Sequence, residues 1–230
     1  MIKVIAFDLD DTLWHVDPVI KRAENKLKEW FRQKLPGFEY STRSMNHFRQ
    51  QVLDEQPHLL GRLTEFRRRV IETALIYHGV ENPSVITAEA MNIFLTARNQ
   101  VDFFPGTINT LIKVSANYQI GALTNGNADI KRLGLAKYFS FSFSAEDVGA
   151  PKPSPLLFHK ALSHTGVDPI EMVYVGDDRI KDIDAAKAVG LKTIWLRNVR
   201  RARPAKTEPD SIIESINQLP LAIRSLENFE

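Results

Sequence analysis

The spacing of apolar residues changes along the chain. Residues 2–9 form a short β-branched and aromatic run without alternation, which is typical of a strand buried on both faces of a parallel sheet. From about residue 16 to 100, apolar side chains recur at helical spacing, with stripes that begin at Ile20, Met45, Leu63 and Ala88. This segment is therefore predicted to be entirely helical.

After Phe104 the pattern becomes an alternation of helices and strands. Strands are predicted near 119–124, 140–144, 172–175 and 192–196, with helices near 107–116, 154–165 and 180–189 between them. Such alternation favours right-handed βαβ units in an α/β fold with a doubly wound parallel sheet. The expected organisation is a core formed by 1–15 and 101–230, with 16–100 as an all-helical insertion.

Composition and charge narrow the class of protein. The chain of 230 residues is 43% hydrophobic and 25% charged, as expected of an ordinary globular protein. A net charge of +2 gives no reason to expect a nucleic-acid partner, and the absence of cysteine excludes thiol catalysis. We found no signal peptide and no apolar run near the roughly 20 residues that a membrane helix needs, so we expect a cytoplasmic protein without a membrane partner. The tail 199–230 contains Arg200, Arg201, Arg203 and Lys206, and we interpret it as a solvated loop followed by a closing helix.

Polar residues collect where the predicted strands end. Open parallel sheets bind ligands at this edge. Each cluster alone is also explained by a turn, a surface lysine or a helix N-terminus, but four complementary clusters at four strand ends favour a common site. The candidate residues are Asp8, Asp10, Asp11 and Thr12; Thr124, Asn125 and Gly126; Lys152; and Asp177, Asp178 and Asp182.

These residue types suit the attack of a carboxylate on a phosphoryl group. Asp8 and Asp10 leave an extended backbone on the same side, so one can attack phosphorus while the other handles protons. Because two carboxylates repel a phosphate dianion, we expect Mg²⁺, with Asp8 and Asp177 as hard oxygen ligands. Lys152 adds a positive charge that favours ionised Asp8.

Further residues are expected to bind the phosphoryl oxygens or to support the site. The Thr124 hydroxyl, the backbone N–H of Asn125 and Lys152 can donate to phosphoryl oxygens. Asp178 and Asp182 are expected to orient Lys152 or metal-bound water.

Four motifs in this order resemble those of the haloacid dehalogenase superfamily. The resemblance implies a Rossmann-like core with a helical C1-type cap that closes over the site. It also implies that Asp8 is the nucleophile, Asp10 the general acid and base, and Thr124 and Lys152 the phosphate binders, with Mg²⁺ on Asp8, the Asp10 carbonyl and Asp177. One departure is Asp11, where many members carry glycine. The motifs are 7–13 (FDLDDTL), 123–127 (LTNGN), 152–153 (KP) and 175–178 (VGDD) with Asp182.

The resemblance leaves several functions open. Because the dehalogenase branch typically lacks an acid at the position of Asp10, a Mg²⁺-dependent phosphatase acting through an aspartyl-phosphate is favoured. The motifs look most like those of bacterial phosphatases acting on flavin mononucleotide or the ribitylaminouracil phosphate of riboflavin synthesis. The alternatives are a 2-haloacid dehalogenase and a non-catalytic binding module on the same fold. The expected partner is a small phosphate ester, and the expected assembly is a monomer or a homodimer.

Arginines on the third predicted helix are a further hypothesis. This helix carries Arg62, Arg67, Arg68 and Arg69, and the arginines are interpreted as solvated side chains, with Phe66 in the apolar stripe. A sharper hypothesis is that Arg67 or Arg69 contacts the polar tail of the substrate. His15 is expected to pack near the cap linker.

Overall fold

The computed structural model describes residues 1–197 and 206–228. The chain divides into two compact units, one formed by Met1–His15 with Asp102–Glu230 and the other by Val16–Val101. Within the described ranges, no helix is both long and apolar enough to cross a membrane. The arginines at 200, 201 and 203 lie outside the described residues.

The first unit is built on a parallel sheet. The strand order is β3-β2-β1-β4-β5-β6, and every neighbouring pair is parallel. The chain therefore starts in the middle of the sheet, moves to one edge and then returns to build the other half. The prediction of a doubly wound α/β fold is confirmed. The strands are β1 Val4–Phe7, β2 Gln119–Thr124, β3 Phe141–Ser144, β4 Met172–Gly176, β5 Lys192–Leu196 and β6 Ser211–Ile213.

The central strand β1 is the core of this unit. All of its residues are completely buried, as expected for a strand covered on both faces. Phe7 pairs in register with Ala122 of β2 and Val175 of β4. This register brings the residues that follow the three strands to the same edge of the sheet.

The second unit is helical, as the spacing of its apolar residues predicts. The first helix buries one stripe, Val19, Ala23, Leu27 and Phe31. The second starts at a capping box in which the Ser41 side chain accepts from the N–H of Ser44. The helices are α1 Val16–Lys34, α2 Thr42–Glu55, α3 Leu63–Tyr77 and α4 Pro83–Arg98, with a 3₁₀ turn at Pro57–Gly61.

Helices of the first unit connect its strands. The sequence did not predict the short helix α6, Ala145–Val148, or the strand β6 in the tail that we interpreted as a loop. The helix expected near 180–189 is divided into a π-helical turn, Arg179–Asp184, and the short α8. The remaining elements are α5 Thr107–Ser115, α6 Ala145–Val148, α7 Leu156–Thr165, α8 Ala185–Ala188 and α9 Leu219–Asn228, with 3₁₀ turns at Pro169–Glu171 and Ile216–Gln218.

Candidate active site

Candidate residues from each of the four motifs line one small pocket at the carboxyl edge of the sheet, whereas Asp11 and Thr12 are not among its lining residues. Asp8 continues β1, and its N–H donates to the carbonyl of Val175 at 2.9 Å. The pocket has a volume of about 90 Å³. Its lining residues are Asp8, Asp10, Thr124, Asn125, Gly126, Lys152, Asp177, Asp178, Lys181 and Asp182.

Lys152 is the centre of the hydrogen bonds in this pocket. Its side chain is 2% exposed, and its Nζ lies 2.8 Å from Asp8 Oδ1 and 2.7 Å from Asp182 Oδ1. The same Nζ donates to the hydroxyl of Tyr174 at 2.5 Å. Burial opposes the charge of Lys152, but the carboxylates of Asp182 and Asp8 outweigh it and hold the pKa well above its ordinary value. Lys152 is therefore a buried ammonium ion.

Asp8 is buried, and its two carboxylate oxygens have different partners. Oδ1 accepts from Lys152, while Oδ2 accepts from the hydroxyl of Thr12 at 3.3 Å. Burial raises the pKa of the Asp8 carboxyl to about 7; Lys152 opposes this increase, and the charge of Asp182 adds to it. Burial therefore disfavours the ionised form of Asp8 more than the ammonium of Lys152 favours it.

The chemistry of the donor set fits a divalent cation. Asp8, Asp177 and Asp182 each offer a carboxylate oxygen, and these oxygens lie within 4.8 Å of one another. Asp182 uses Oδ1 for Lys152 and Oδ2 for the N–H of Asp178, and Asp8 Oδ1 also accepts from Lys152, so the ammonium lies beside the same carboxylates. Hard carboxylate oxygens with uncompensated charge suit Mg²⁺.

The two aspartates that were expected to orient Lys152, Asp178 and Asp182, make different contacts. Asp182 makes the contact directly. The Asp178 carboxylate instead caps the following helical turn by accepting from the N–H groups of Ile180 and Lys181, each at 3.0 Å. Its own N–H holds Asp182 in place.

Backbone packing explains the glycine before these aspartates. A Cβ added at Gly176 would lie 2.5 Å from the carboxyl carbon of Asp182. Only glycine allows that approach.

Thr124 and Asn125 also line the pocket. Thr124 is 1% exposed, and its hydroxyl accepts from the N–H of Gly126 at 2.9 Å. The Asn125 side chain bridges to the backbone of Lys152, accepting from its N–H at 2.7 Å and donating to its carbonyl at 2.9 Å. This bridge fixes the loop from which the lysine reaches the pocket, a contribution that the sequence did not predict.

Three aromatic side chains support the site and were not among the sequence candidates. The Tyr174 hydroxyl, completely buried on β4, donates to the carbonyl of Leu123 at 3.0 Å while accepting from Lys152. The indole of Trp195 donates to the carbonyl of Asp177 at 2.8 Å, and the indole of Trp14 donates to Asp10 Oδ1 at 3.0 Å. The signal in the sequence was an aromatic residue with a polar tip, next to a motif or in a neighbouring strand.

The arginines of α3 make contacts inside the helical unit. Arg67 Nη1 lies 2.6 Å from Glu24 Oε1, and its guanidinium stacks 3.7 Å above the ring of Phe94. Arg69 pairs with Glu65 and Glu72 on its own helix. Contact of either arginine with a substrate stays a prediction.

His15 and Phe66 also pack within their own units. The His15 ring packs edge-on against Phe104, with ring centroids 4.6 Å apart. Phe66 packs against the core of the helical unit.

Comparison with known proteins identifies the family. The model of the haloacid dehalogenase-like hydrolases matches residues 2–190. The chain belongs to this family.

The proteins to which the chain is similar include phosphatases and a 2-haloacid dehalogenase. The chain is 31% identical over 199 residues to the 5-amino-6-(5-phospho-D-ribitylamino)uracil phosphatase YigB of Escherichia coli, covering 85% of this chain and 84% of that protein. It is 30% identical over 240 residues to a glyceraldehyde 3-phosphate phosphatase of Pyrococcus abyssi, covering 99% and 95%. A solved structure named 2-haloacid dehalogenase, from Pseudomonas syringae pv. Tomato DC3000, superposes with a TM-score of 0.93 at 38% identity, covering 98% of this chain and 99% of that one. The family and the phosphatase relatives confirm the prediction that the chain is a phosphatase of this family.

Proposed function

We propose that the protein is a Mg²⁺-dependent phosphomonoesterase that hydrolyses a small phosphorylated metabolite through an aspartyl-phosphate on Asp8. The observation that carries the proposal is the ammonium of Lys152 buried against Asp8 in the pocket that Asp10 also lines. A cation at this place stabilises a charged nucleophile and offers a donor to a phosphoryl oxygen. Structural packing alone gives no reason to bury this charge, which is costly without partners.

The reaction has two steps. First, an oxygen of Asp8 forms a bond to phosphorus while the bond from phosphorus to the ester oxygen breaks, and Asp10 gives its proton to that oxygen. The products are an alcohol and the aspartyl-phosphate. Second, Asp10 takes a proton from water as the water oxygen attacks phosphorus, which releases inorganic phosphate and restores the Asp8 carboxylate.

Other residues of the pocket stabilise the transferring group. Lys152 and the hydroxyl of Thr124 face the pocket and suit the equatorial phosphoryl oxygens, with the backbone N–H of Asn125 as a third donor. Asp182 and Tyr174 hold the ammonium of Lys152 in position. Asp178 contributes by fixing Asp182.

Asp8, Asp177 and the carbonyl of Asp10 are proposed to hold the metal ion. When bound, Mg²⁺ would supply the positive charge that lets a phosphate dianion approach the carboxylates. Burial raises the pKa of Asp8 and so disfavours its ionised form, a cost that a bound cation would offset.

The size of the pocket bears on the substrate. A volume of about 90 Å³ is a fraction of the roughly 300–1,000 Å³ that hold a drug-sized ligand. The pocket therefore suits the phosphoryl group, and the rest of the ester lies beyond it. Flavin mononucleotide and ribityl phosphates are the first candidates, because the relative from E. coli is a ribitylaminouracil phosphatase; the relative from P. abyssi adds glyceraldehyde 3-phosphate.

A second candidate function is the dehalogenation of a 2-haloacid, with which the 38% identity to the P. syringae structure is compatible. Both reactions use a carboxylate nucleophile. A departing halide needs no proton, whereas a departing alkoxide does, so the Asp10 carboxylate in the pocket favours the phosphatase.

The test is a screen for released phosphate with and without Mg²⁺. The panel contains flavin mononucleotide, glyceraldehyde 3-phosphate, phosphoglycolate, nucleoside monophosphates and sugar phosphates, and chloride release from 2-chloropropionate is measured in parallel. We expect phosphate release that requires Mg²⁺ and is lost in Asp8→Asn. Chloride release without Mg²⁺ would establish the dehalogenase instead. Release of neither phosphate nor chloride would favour a non-catalytic binding module.

A further inference from the structure

A fully buried tryptophan contacts the carboxylate that is proposed to handle protons. The indole N–H of Trp14 donates to Asp10 Oδ1 at 3.0 Å. Trp14 has no solvent-exposed surface, whereas Asp10 is partly exposed and lines the active-site pocket. The hydrogen bond therefore connects the core of the unit to a side chain at the site.

The tryptophan is rigidly held. Its ring packs edge-to-face on Phe103, with centroids 5.8 Å apart and the ring planes at 75°. Its backbone bridges to both Asp10 and Phe103, and its carbonyl accepts from the N–H of Asp11 at 2.7 Å. Next to it, the carbonyl of Leu13 accepts from the N–H of Phe104 at 2.8 Å. An indole fixed in this way is a stationary donor.

The choice of acceptor is what distinguishes Trp14 from a packing residue. A buried indole N–H needs a partner, and a backbone carbonyl is sufficient, as Trp195 shows with the carbonyl of Asp177. Trp14 instead uses a side-chain carboxylate. The last torsion of an aspartate is broad, so a hydrogen bond to one of its oxygens restricts the orientation of the other.

We propose that Trp14 is a positioning residue that orients the Asp10 carboxyl toward the ester oxygen that leaves in the first step. This inference rests on the proposed function. In that step Asp8 forms the new bond to phosphorus, the electron pair of the broken bond goes to the ester oxygen, and the proton of Asp10 goes to the same oxygen. Without the indole, the Asp10 carboxyl samples orientations in which its proton does not face the leaving group.

The test compares two esters of similar shape that differ in how much their leaving group needs a proton. The leaving group of p-nitrophenyl phosphate is nitrophenolate, which is a stable anion. The leaving group of phenyl phosphate is phenolate, which is much more basic. The quantity is kcat/KM, which reports the first step. Trp14→Phe removes the N–H and keeps an aromatic ring against Phe103.

We expect Trp14→Phe to lower kcat/KM for phenyl phosphate by about tenfold or more, a part of the roughly 10²–10⁴-fold that general acid catalysis contributes. For p-nitrophenyl phosphate the loss should stay within about twofold, because that step needs little acid assistance. The matched control is Phe103→Leu, which disturbs the same ring pair without removing the N–H. It should affect both esters equally. Equal losses in Trp14→Phe, or a selective loss in Phe103→Leu, would overturn the proposal.

A measurement that keeps Trp14 covers the case in which Trp14→Phe does not fold. The chain has three tryptophans, and their indole N–H resonances can be assigned with Trp30→Phe and Trp195→Phe. Asp10→Ala removes the acceptor of the Trp14 indole, so we expect it to shift the resonance of Trp14 and to accelerate the hydrogen exchange of its N–H. A Trp14 resonance and exchange rate that are the same in the wild type and in Asp10→Ala would overturn the proposal, whatever the result with Trp14→Phe.

The experiment separates this inference from the proposed function. If the proposed function is wrong, the wild-type chain will release no phosphate from either ester in the presence of Mg²⁺. Failure of the inference shows as an active wild-type enzyme in which Trp14→Phe treats both esters alike.

Discussion

Replacement of Lys152 by methionine tests the electrostatics of the pocket. Lys152→Met keeps most of the apolar stem and removes an ammonium that is in contact with Asp8 at 2.8 Å and with Asp182 at 2.7 Å. Both carboxylates are then left buried without their cation. Removing one partner of a buried ion pair costs about 3–5 kcal/mol, and we expect the free energy of unfolding at neutral pH to fall by that amount.

The assay is urea denaturation of the wild type and the variant, followed by the rate of phosphate release. We expect kcat/KM to fall by roughly 10²–10³-fold, as when one preorganised donor to a transition state is removed. Lys113→Met is the matched control, since Lys113 is exposed on α5. Its effect on stability should stay within about 0.5 kcal/mol.

A double variant separates uncompensated charge from lost packing. If the loss in Lys152→Met comes from the buried carboxylates, then adding Asp182→Asn removes one of these charges and should recover stability. We expect a favourable coupling of roughly 0.5–3 kcal/mol between the two substitutions. A double variant less stable than Lys152→Met alone would refute the reasoning, as would a single variant of wild-type stability.

Three further predictions concern the turn after β1, the anchor of β6 and the metal. Asp11 has φ of 62°, a left-handed conformation, so Asp11→Gly should change the free energy of unfolding by less than about 1 kcal/mol, whereas Asp11→Val should lose roughly 1–2 kcal/mol more, both measured in urea. Burial raises the pKa of Asp210, but hydrogen bonds from Lys187 and Thr193 leave it below its ordinary value of 3.8. The stability that Asp210 contributes is therefore present above about pH 4 and is lost as the pH falls further. Asp210→Asn should lower the free energy of unfolding by about 1–2 kcal/mol at pH 7 and should weaken its dependence on pH in the acid range. An unchanged pH dependence in this variant would contradict the prediction. Mg²⁺ at about 100 times its Kd should stabilise the wild type by about 2.7 kcal/mol in thermal unfolding and should stabilise Asp177→Asn much less; equal stabilisation of the two would place the ion elsewhere.

Most of the sheet and the position of the site follow from simple patterns. Buried parallel strands are continuous apolar runs, and β1 and β4 are bounded by polar residues at the edge where such sheets bind ligands. The register that pairs Phe7 with both Ala122 and Val175 then brings Asp8 next to the ends of two other strands. For this reason the residues that line the pocket could be named from the sequence, with the exception of Lys181.

The division of roles between Asp178 and Asp182 could not be predicted from spacing. The N–H groups of Asp182 and Ile183 both donate to the carbonyl of Asp178, so this turn is wider than an α-helix. Helical periodicity of 3.6 residues gives the wrong phase for such a turn.

The contacts of side chains with both an apolar body and a polar tip were also not predicted from the sequence. Tyr174 lies in a predicted strand and was not named as a site residue, yet its hydroxyl accepts from Lys152, which comes from a different loop. Arg67 behaved in the opposite way: it was expected either to be solvated or to contact a substrate, and it pairs with Glu24. Both outcomes depend on long-range packing, which local spacing does not determine.

The short elements of the tail were missed for a similar reason. Strand β6 has three residues and depends on pairing with β5 and on Asp210, which accepts from the N–H of Thr193 at 2.7 Å. So short a run carries little periodicity of its own.

The most direct test of the proposed mechanism is to trap the phosphoryl group on the enzyme. Asp10→Asn should still be phosphorylated by p-nitrophenyl phosphate with Mg²⁺, because that leaving group needs little acid, but hydrolysis of the intermediate should be slow without the base. After an acid quench and proteolysis, we predict that mass spectrometry finds one added HPO₃ group on Asp8, and none in the Asp8→Asn, Asp10→Asn double variant. A phosphoryl group on another residue, or undiminished phosphate release by Asp8→Asn, would contradict the account.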